Sequence, residues 1–191
     1  MAHKIREVYI VHHSHTDVGY TDLQEQVIYN QTNNIRRAVE LIKEGLEKGT
    51  NQKDLKWNCE TWYCVEQFLK AATKEEKKTF FDLVKKNSIG LSANYLNFND
   101  LADGEYLTEK IHDMQEVCAK EGITVKTAMF ADINGISMGQ RDAMLANGVE
   151  FLYTNIHTHH GMYPLYQNQK PYFWENEDGK RLLVWSGEHY N

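Results

Sequence analysis

Val8-Tyr9-Ile10-Val11-His12-His13-Ser14-His15-Thr16-Asp17-Val18-Gly19-Tyr20 joins an apolar run to a cluster of ligand-type side chains. Four apolar residues followed by polar ones and a glycine predict a short buried β-strand ending after Val11. Three imidazoles and one carboxylate then fall at the strand's carboxyl end, where β/α folds place their chemistry. In an extended segment His15 and Asp17, at i and i+2, face one side and can hold one cation together; His13 shares that face. Imidazole and carboxylate suit zinc. Two ligands do not make a site, however, and strand-end histidines also cap backbone carbonyls or lie at the surface.

Working outward, strand and helix patterns alternate. Thr21-Asp22-Leu23-Gln24 predicts a capping box, and Ile28, Ile35, Val39, Ile42 and Leu46 predict one apolar helix face that Gly49 ends. Leu55–Cys59 reads as a second strand, with Glu60, Thr61 and Trp62 at its end. A short helix carries Val65, Phe68 and Leu69. Thr73-Lys74-Glu75-Glu76 is a second capping box, before Phe80, Phe81 and Val84. The third strand, Ile89–Ala93, ends in Asn94, Tyr95, Asn97, Asn99 and Asp100. Leu107, Ile111, Met114 and Cys118 mark the next helix, which Gly122 closes. Val125–Ala131 is the fourth strand, with Asp132 directly at its end. A short helix over Asp142–Ala146 leads to a fifth strand, Phe151–Thr154, followed by Asn155, His157, His159 and His160. Tyr172–Trp174 and Leu182–Trp185 form a hairpin about Glu177-Asp178-Gly179-Lys180.

The pattern βαβαβαβαβ plus a hairpin predicts an α/β fold, a mainly parallel sheet flanked by helices. With 191 residues, residues 1–191 are expected to form a single domain. A doubly wound sheet or an incomplete β/α barrel would bring the polar strand ends to one rim. Asp132 can then face a cation held by His15 and Asp17, an N/O₂ set one ligand short of tetrahedral zinc. A turn or cap is the commoner role of a loop aspartate. No G-x-G-x-x-G, Walker loop or G-x-S-x-G elbow is present.

A net charge of −6 argues against a nucleic-acid partner. No apolar run reaches membrane-spanning length, and Ile5–Val11 is too short for a signal peptide and is broken by Arg6 and Glu7. A cytoplasmic location with no membrane partner is the expectation. Cys59, Cys64 and Cys118 match no zinc or redox spacing and are expected to be reduced and packed. Aromatics make up 12% of the chain. Tyr20, Trp62 and Tyr95 lie beside polar turn residues and are candidates for sugar stacking, although most aromatics in a domain are core.

His13-Ser14-His15-Thr16-Asp17-Val18-Gly19-Tyr20 resembles the first motif of the glycoside hydrolase family 38 α-mannosidases, His-Ser-His-x-Asp-x-Gly-Trp. Phe130-Ala131-Asp132-Ile133-Asn134-Gly135-Ile136-Ser137 resembles the second, a tryptophan-led Asp-Pro-Phe-Gly-His-Ser segment. Lys56-Trp57 through Glu60-Thr61, and Trp174-Glu175 to Trp185, are similar to corresponding segments. The resemblance implies a seven-stranded β/α barrel of the glycoside hydrolase/deacetylase type, of which this chain is the N-terminal portion. It implies a single zinc ion held by His15, Asp17 and Asp132, with Asp132 also the catalytic nucleophile. The implied reaction is hydrolysis of an α-mannoside with retention, the ion gripping two sugar hydroxyls.

The chain departs from the family at Ile133-Asn134, at Ile136 in place of the motif histidine, and at Tyr20 in place of tryptophan. The family's fourth zinc ligand and general acid lie further downstream. The 191-residue chain alone is therefore expected not to turn over α-mannosides, and its open strand edges are expected to promote self-association. His159 and His160 are candidates for sugar contact or for completing a metal site. Glu60, Asp100, Glu175 and Glu188 are candidates for a second carboxyl group. Two alternatives stand beside the glycosidase. One is a metal-dependent amidohydrolase or carbohydrate deacetylase, in which His13 joins His15 on the metal. The other is a non-catalytic sugar-binding relic.

Overall fold

The computed structural model describes residues 6–97, 102–133, 135–157 and 170–187. Its elements run α1 (Gln24–Lys48), a 3-10 turn (Asn51–Asp54), β1 (Trp57–Cys59), α2 (Trp62–Ala71), α3 (Lys74–Lys85), β2 (Ile89–Leu91), α4 (Gly104–Lys120), β3 (Thr127–Asp132), α5 (Met138–Ala146), β4 (Phe151–Ile156), β5 (Pro171–Glu175) and β6 (Arg181–Gly187). The strand–helix alternation read from the sequence is borne out. The fold is mixed α/β.

β1 pairs in parallel with β2, Trp57 opposite Ile89. A second sheet has the order β3-β4-β6-β5. β3 pairs in parallel with β4, and β4 with β6; β5 returns antiparallel to β6 as the predicted hairpin. The two sheets adjoin at the edges of β2 and β3. There Ala93 N–H donates to the Thr127 carbonyl (2.9 Å) and Thr127 Oγ1 donates to the Leu91 carbonyl (3.1 Å). Buried Ser92 bridges the seam: its Oγ accepts from Met129 N–H (2.9 Å) and from Asn94 N–H (3.2 Å). The parallel strands β1, β2, β3, β4 and β6 therefore lie side by side with their carboxyl ends on one rim.

Helices cover the apolar faces, as parallel strands require. Phe68, Phe80, Ile42, Met114 and Met144 are fully buried between helix and sheet. α3 opens with the predicted capping box: Thr73 Oγ1 accepts from Glu76 N–H, and the Glu76 carboxylate accepts from Thr73 N–H. Gly49 closes α1 in the left-handed conformation that an L residue enters at a cost. Gly90 is needed for a different reason. A Cβ there would stand 2.3 Å from Asn58 Oδ1, and the Asn58 amide crosses this space to donate to the His12 carbonyl (3.2 Å).

Three sequence expectations change. The apolar run Val8–Val11 is not a strand, and Tyr9 is 85% exposed. A strand needs a partner as well as composition, and the pairing comes later. His13 forms an isolated parallel bridge to Asn58, and Asn58 N–H donates to the His12 carbonyl (2.8 Å). Thr21 forms no capping box, because α1 begins at Gln24 and Asp22 instead accepts from the Leu23 N–H (2.7 Å). Leu46 is exposed, since the buried stripe of α1 ends on Ile42 and on Gly45, which packs against the 3-10 turn. The described residues form one two-stranded and one four-stranded sheet, and a complete seven-stranded barrel, of which the chain is expected to be the N-terminal portion, is not shown among them. Cys59, Cys64 and Cys118 are buried free thiols, as expected.

The seam makes a testable demand. Ser92→Ala would leave two buried N–H donors unpaired, and each orphaned group costs about 1–3 kcal/mol. Urea unfolding should show a loss of about that size, with secondary structure retained below the midpoint. An unchanged midpoint would remove Ser92 from the seam.

Candidate metal centre

A loop and a strand end define the site. The segment after His13 leaves its bridge to β1 as a loop held by α1. Gln31 Nε2 donates to the His15 carbonyl (2.7 Å) and Asn34 Nδ2 donates to Ser14 Oγ (3.0 Å). Buried Thr16 contacts the Cys64 thiol. This anchoring directs the His15 and Asp17 side chains to the rim. Asp132 ends β3 with φ 74°. Outside glycine this left-handed region is sparsely used, though aspartate tolerates it better than most. Strain of this kind concentrates at functional sites.

His15, Asp17 and Asp132 each bring one ligand atom into a group whose members all lie within 4.8 Å of one another. His15 Nε2 stands 3.3 Å from Asp17 Oδ1 and 4.0 Å from Asp132 Oδ2. Ligands about 2.0–2.2 Å from one tetrahedral ion lie roughly 3.3–3.6 Å apart. The donor set therefore fits a small divalent cation after closing by a few tenths of an ångström to about an ångström. All three side chains are partly open to solvent. Each carboxylate near the other also gives the pair a reason to hold a cation.

Beneath His15 lies Glu60, whose side chain is 1% exposed. His15 Nδ1 is 2.9 Å from Glu60 Oε1, and Thr16 N–H donates to the same oxygen (3.2 Å), as does Asn97 Nδ2. His13 Nδ1 sits 2.5 Å from Glu60 Oε2 as an ion-pair contact, off the axis of a good hydrogen bond. Burial pushes the Glu60 carboxyl upward, but the close contacts with His13 and His15 outweigh it and leave the pKa lowered from 4.5. For His15, burial lowers the pKa, while the bond to Glu60 and the charges of Glu60, Asp17 and Asp132 raise it above 6.5 overall.

The other predicted residues separate. His13 shares no face with the cluster; it turns to Glu60. Glu60 itself is sealed and committed to the histidines, which corrects its standing as a candidate acid. Trp62 is 4% exposed and belongs to the core, so it offers no ring face to a sugar. Its position beside polar residues misled, because it opens α2 and its N–H donates to the Asn94 carbonyl (2.7 Å). Tyr95 is half-buried, its ring edge-on to Tyr63 and its hydroxyl donating to Glu66 (3.4 Å). Tyr20 is 89% exposed. Glu175 lies exposed at the end of edge strand β5. His159, His160, Asp100 and Glu188 lie outside the described residues.

One neighbour was not singled out from sequence. His157 Nε2 approaches Asp132 Oδ1 to 3.9 Å, and His157 N–H donates to the Asp132 carbonyl (3.2 Å). The signal lay in the strand register: β4 runs beside β3 with Ile156 opposite Asp132, so the next residue reaches the same rim. Among the described residues no helix is long and apolar enough to cross a membrane.

The sequence matches the model for the glycosyl hydrolases family 38 N-terminal domain over residues 6–191, and the chain belongs to that family. An α-mannosidase from Enterococcus faecalis V583 superposes with a TM-score of 0.68 at 17% identity, over 92% of this chain and 19% of that one. A second E. faecalis structure, described as a protein in glycosyl hydrolase family 38, gives 0.63 at 17% identity over 93% of this chain and 18% of that one. A 4-alpha-glucanotransferase from Thermococcus litoralis gives 0.61 at 16% identity over 93% of this chain and 27% of that one. At such identities the likeness is one of fold. The chain spans about a fifth of the α-mannosidase (19%). A search of curated proteins finds no match.

The coupled charges predict how the metal-free protein responds to pH. The raised His15 pKa means the folded state favours the protonated ring. That stabilisation is complete below pH 6.5 and is lost as pH rises through the folded value. The lowered Glu60 pKa acts oppositely: its contribution is complete above pH 4.5 and is lost as pH falls through the folded value. After chelation, the urea midpoint should fall on the alkaline side, and His15→Gln should flatten that fall. An equal alkaline fall in the His15→Gln protein would assign it to other groups.

Proposed function

We propose that this chain supplies the metal-binding and nucleophilic part of a retaining glycoside hydrolase site that acts on α-mannosides. The observation that carries this reading is the convergence of His15, Asp17 and Asp132 within 4.8 Å. They come from two segments more than a hundred residues apart, the loop that follows the His13 bridge and the carboxyl end of β3, in a family 38 N-terminal domain. His15 Nε2 and the carboxylates of Asp17 and Asp132 would hold a zinc ion. Bound there, the ion supplies Lewis acidity that grips and orients two sugar hydroxyls.

The remaining chemistry belongs to side chains. Asp132 presents a carboxylate at the open rim, held by the positive-φ backbone at the end of β3. One oxygen would attack the anomeric carbon as the bond to the leaving oxygen breaks, and that oxygen would take a proton from a carboxylic acid. Water would then cleave the glycosyl ester, with the same acid acting as base. That acid is a second carboxyl about 5–5.5 Å from the nucleophile in retaining enzymes. Glu60 does not suit the task, being sealed beneath His15. The approach of Asp17 rather than His13 to His15 favours the glycosidase over the deacetylase reading.

The test is an assay of the full-length protein with an aryl α-mannoside, with metal content measured alongside. Asp132→Asn keeps the shape of the side chain but removes its nucleophilicity and charge. Turnover should fall on the order of 10⁴-fold or more, the scale found when a nucleophile that works with its partners is removed. Near-normal turnover in this variant would overturn the assignment of the nucleophile. Wild-type protein that binds sugar, holds zinc and never cleaves would move the reading to a sugar-binding relic.

A further inference from the structure

We propose that Glu60 is the positioning residue of this site, fixing both the tautomer of His15 and the spacing between His15 and Asp132. This rests on the metal reading above. An ionised carboxylate only accepts hydrogen bonds, so the 2.9 Å contact of Glu60 Oε1 requires the proton on His15 Nδ1. In the neutral ring Nε2 then carries the lone pair. That atom is the one facing Asp17 Oδ1 at 3.3 Å and Asp132 Oδ2 at 4.0 Å. A neutral imidazole held by a carboxylate at one nitrogen is oriented for a cation at the other and is made more basic.

Glu60 is itself fixed from three sides. Thr16 N–H donates to it from the loop that carries His15. His13 balances its second oxygen. Asn97 Nδ2 donates to its first, and Asn97 Oδ1 accepts from Asn94 Nδ2 (2.9 Å) and from the Ala131 N–H (3.4 Å). Ala131 immediately precedes Asp132. One chain of hydrogen bonds therefore runs from the His15 ring through Glu60 and Asn97 to the backbone that carries the third ligand. His13 serves this chain from the far side of the buried carboxylate, with its Nδ1 against Glu60 Oε2. That gives the first histidine of the His-x-His-x-Asp motif a function without placing it on the metal.

The experiment measures zinc affinity of the full-length protein by competition with a chromophoric chelator. Wild type is compared with Asp17→Asn, Glu60→Ala and Glu60→Gln. Glu60→Ala should weaken binding about 10–100-fold, the usual effect of losing a partner behind a ligand. Glu60→Gln keeps an oxygen opposite His15 Nδ1 and should recover most of the loss. If wild type and Asp17→Asn differ while Glu60→Ala binds like wild type, the positioning role is overturned and the metal reading stands. If wild type binds no zinc, the metal reading fails and takes this inference with it. Ring-nitrogen NMR of metal-free wild type at alkaline pH needs no substitution, and His15→Gln identifies the signal. It should find the His15 proton on Nδ1; a proton on Nε2 would overturn the proposal even if Glu60→Ala does not fold.

Discussion

A carboxylate removed from water keeps its charge only where donors and counter-charges surround it. Glu60, placed after β1, meets that condition through four groups drawn from two other stretches of chain: His13, His15 and Thr16 before α1, and Asn97 after β2. Removing any one partner would leave a buried charge under-compensated. The conformation of the first loop, the end of β1 and the end of β2 are thus tied to one another by a single electrostatic requirement. The residues on the open rim inherit their placement from it.

The sheet gives this requirement its frame. Parallel pairing places the carboxyl ends of β1, β2, β3, β4 and β6 on the same side, and β5 alone among the described strands runs the other way. Side chains alternate in direction along each strand, so a one-residue slip would turn the rim residues to the other face. Register is held by the ladder between β3 and β4 and, at the seam, by Ser92, which offers its hydroxyl where β2 and β3 lack a continuous ladder. That register sets Asp132 beside Ile156 and carries His157 to the Asp132 carboxylate.

Much of this was legible in the residues. Helical and strand periods alternate over the chain, and His15, Asp17 and Asp132 stand out as ligand types, Asp132 at a strand end. What was not legible depends on contacts between distant segments. Val8–Val11 has the composition of a strand, but pairing depends on a neighbour, and β1 meets His12 and His13 instead. Trp62 has polar neighbours in sequence and apolar ones in space, because α2 turns it inward. Glu60 reads as a rim carboxylate until the two histidines close over it.

The same distinction explains why two histidines in one short motif can have different work. At i and i+2 in an extended chain, His13 and His15 share a face. Sequence spacing alone therefore allows both to bind one ion. The chain does not stay extended, however: the bridge to β1 ends at His13, and Asn58 draws the His12 carbonyl toward the sheet. Beyond that point α1 holds the Ser14 and His15 backbone through Asn34 and Gln31. Both rings reach Glu60 by Nδ1, but only the Nε2 of His15 points on to Asp17 and Asp132. A carboxylate placed between two imidazoles thus separates them into a packing partner of the carboxylate and a candidate ligand, a division made by the backbone rather than by the residue type.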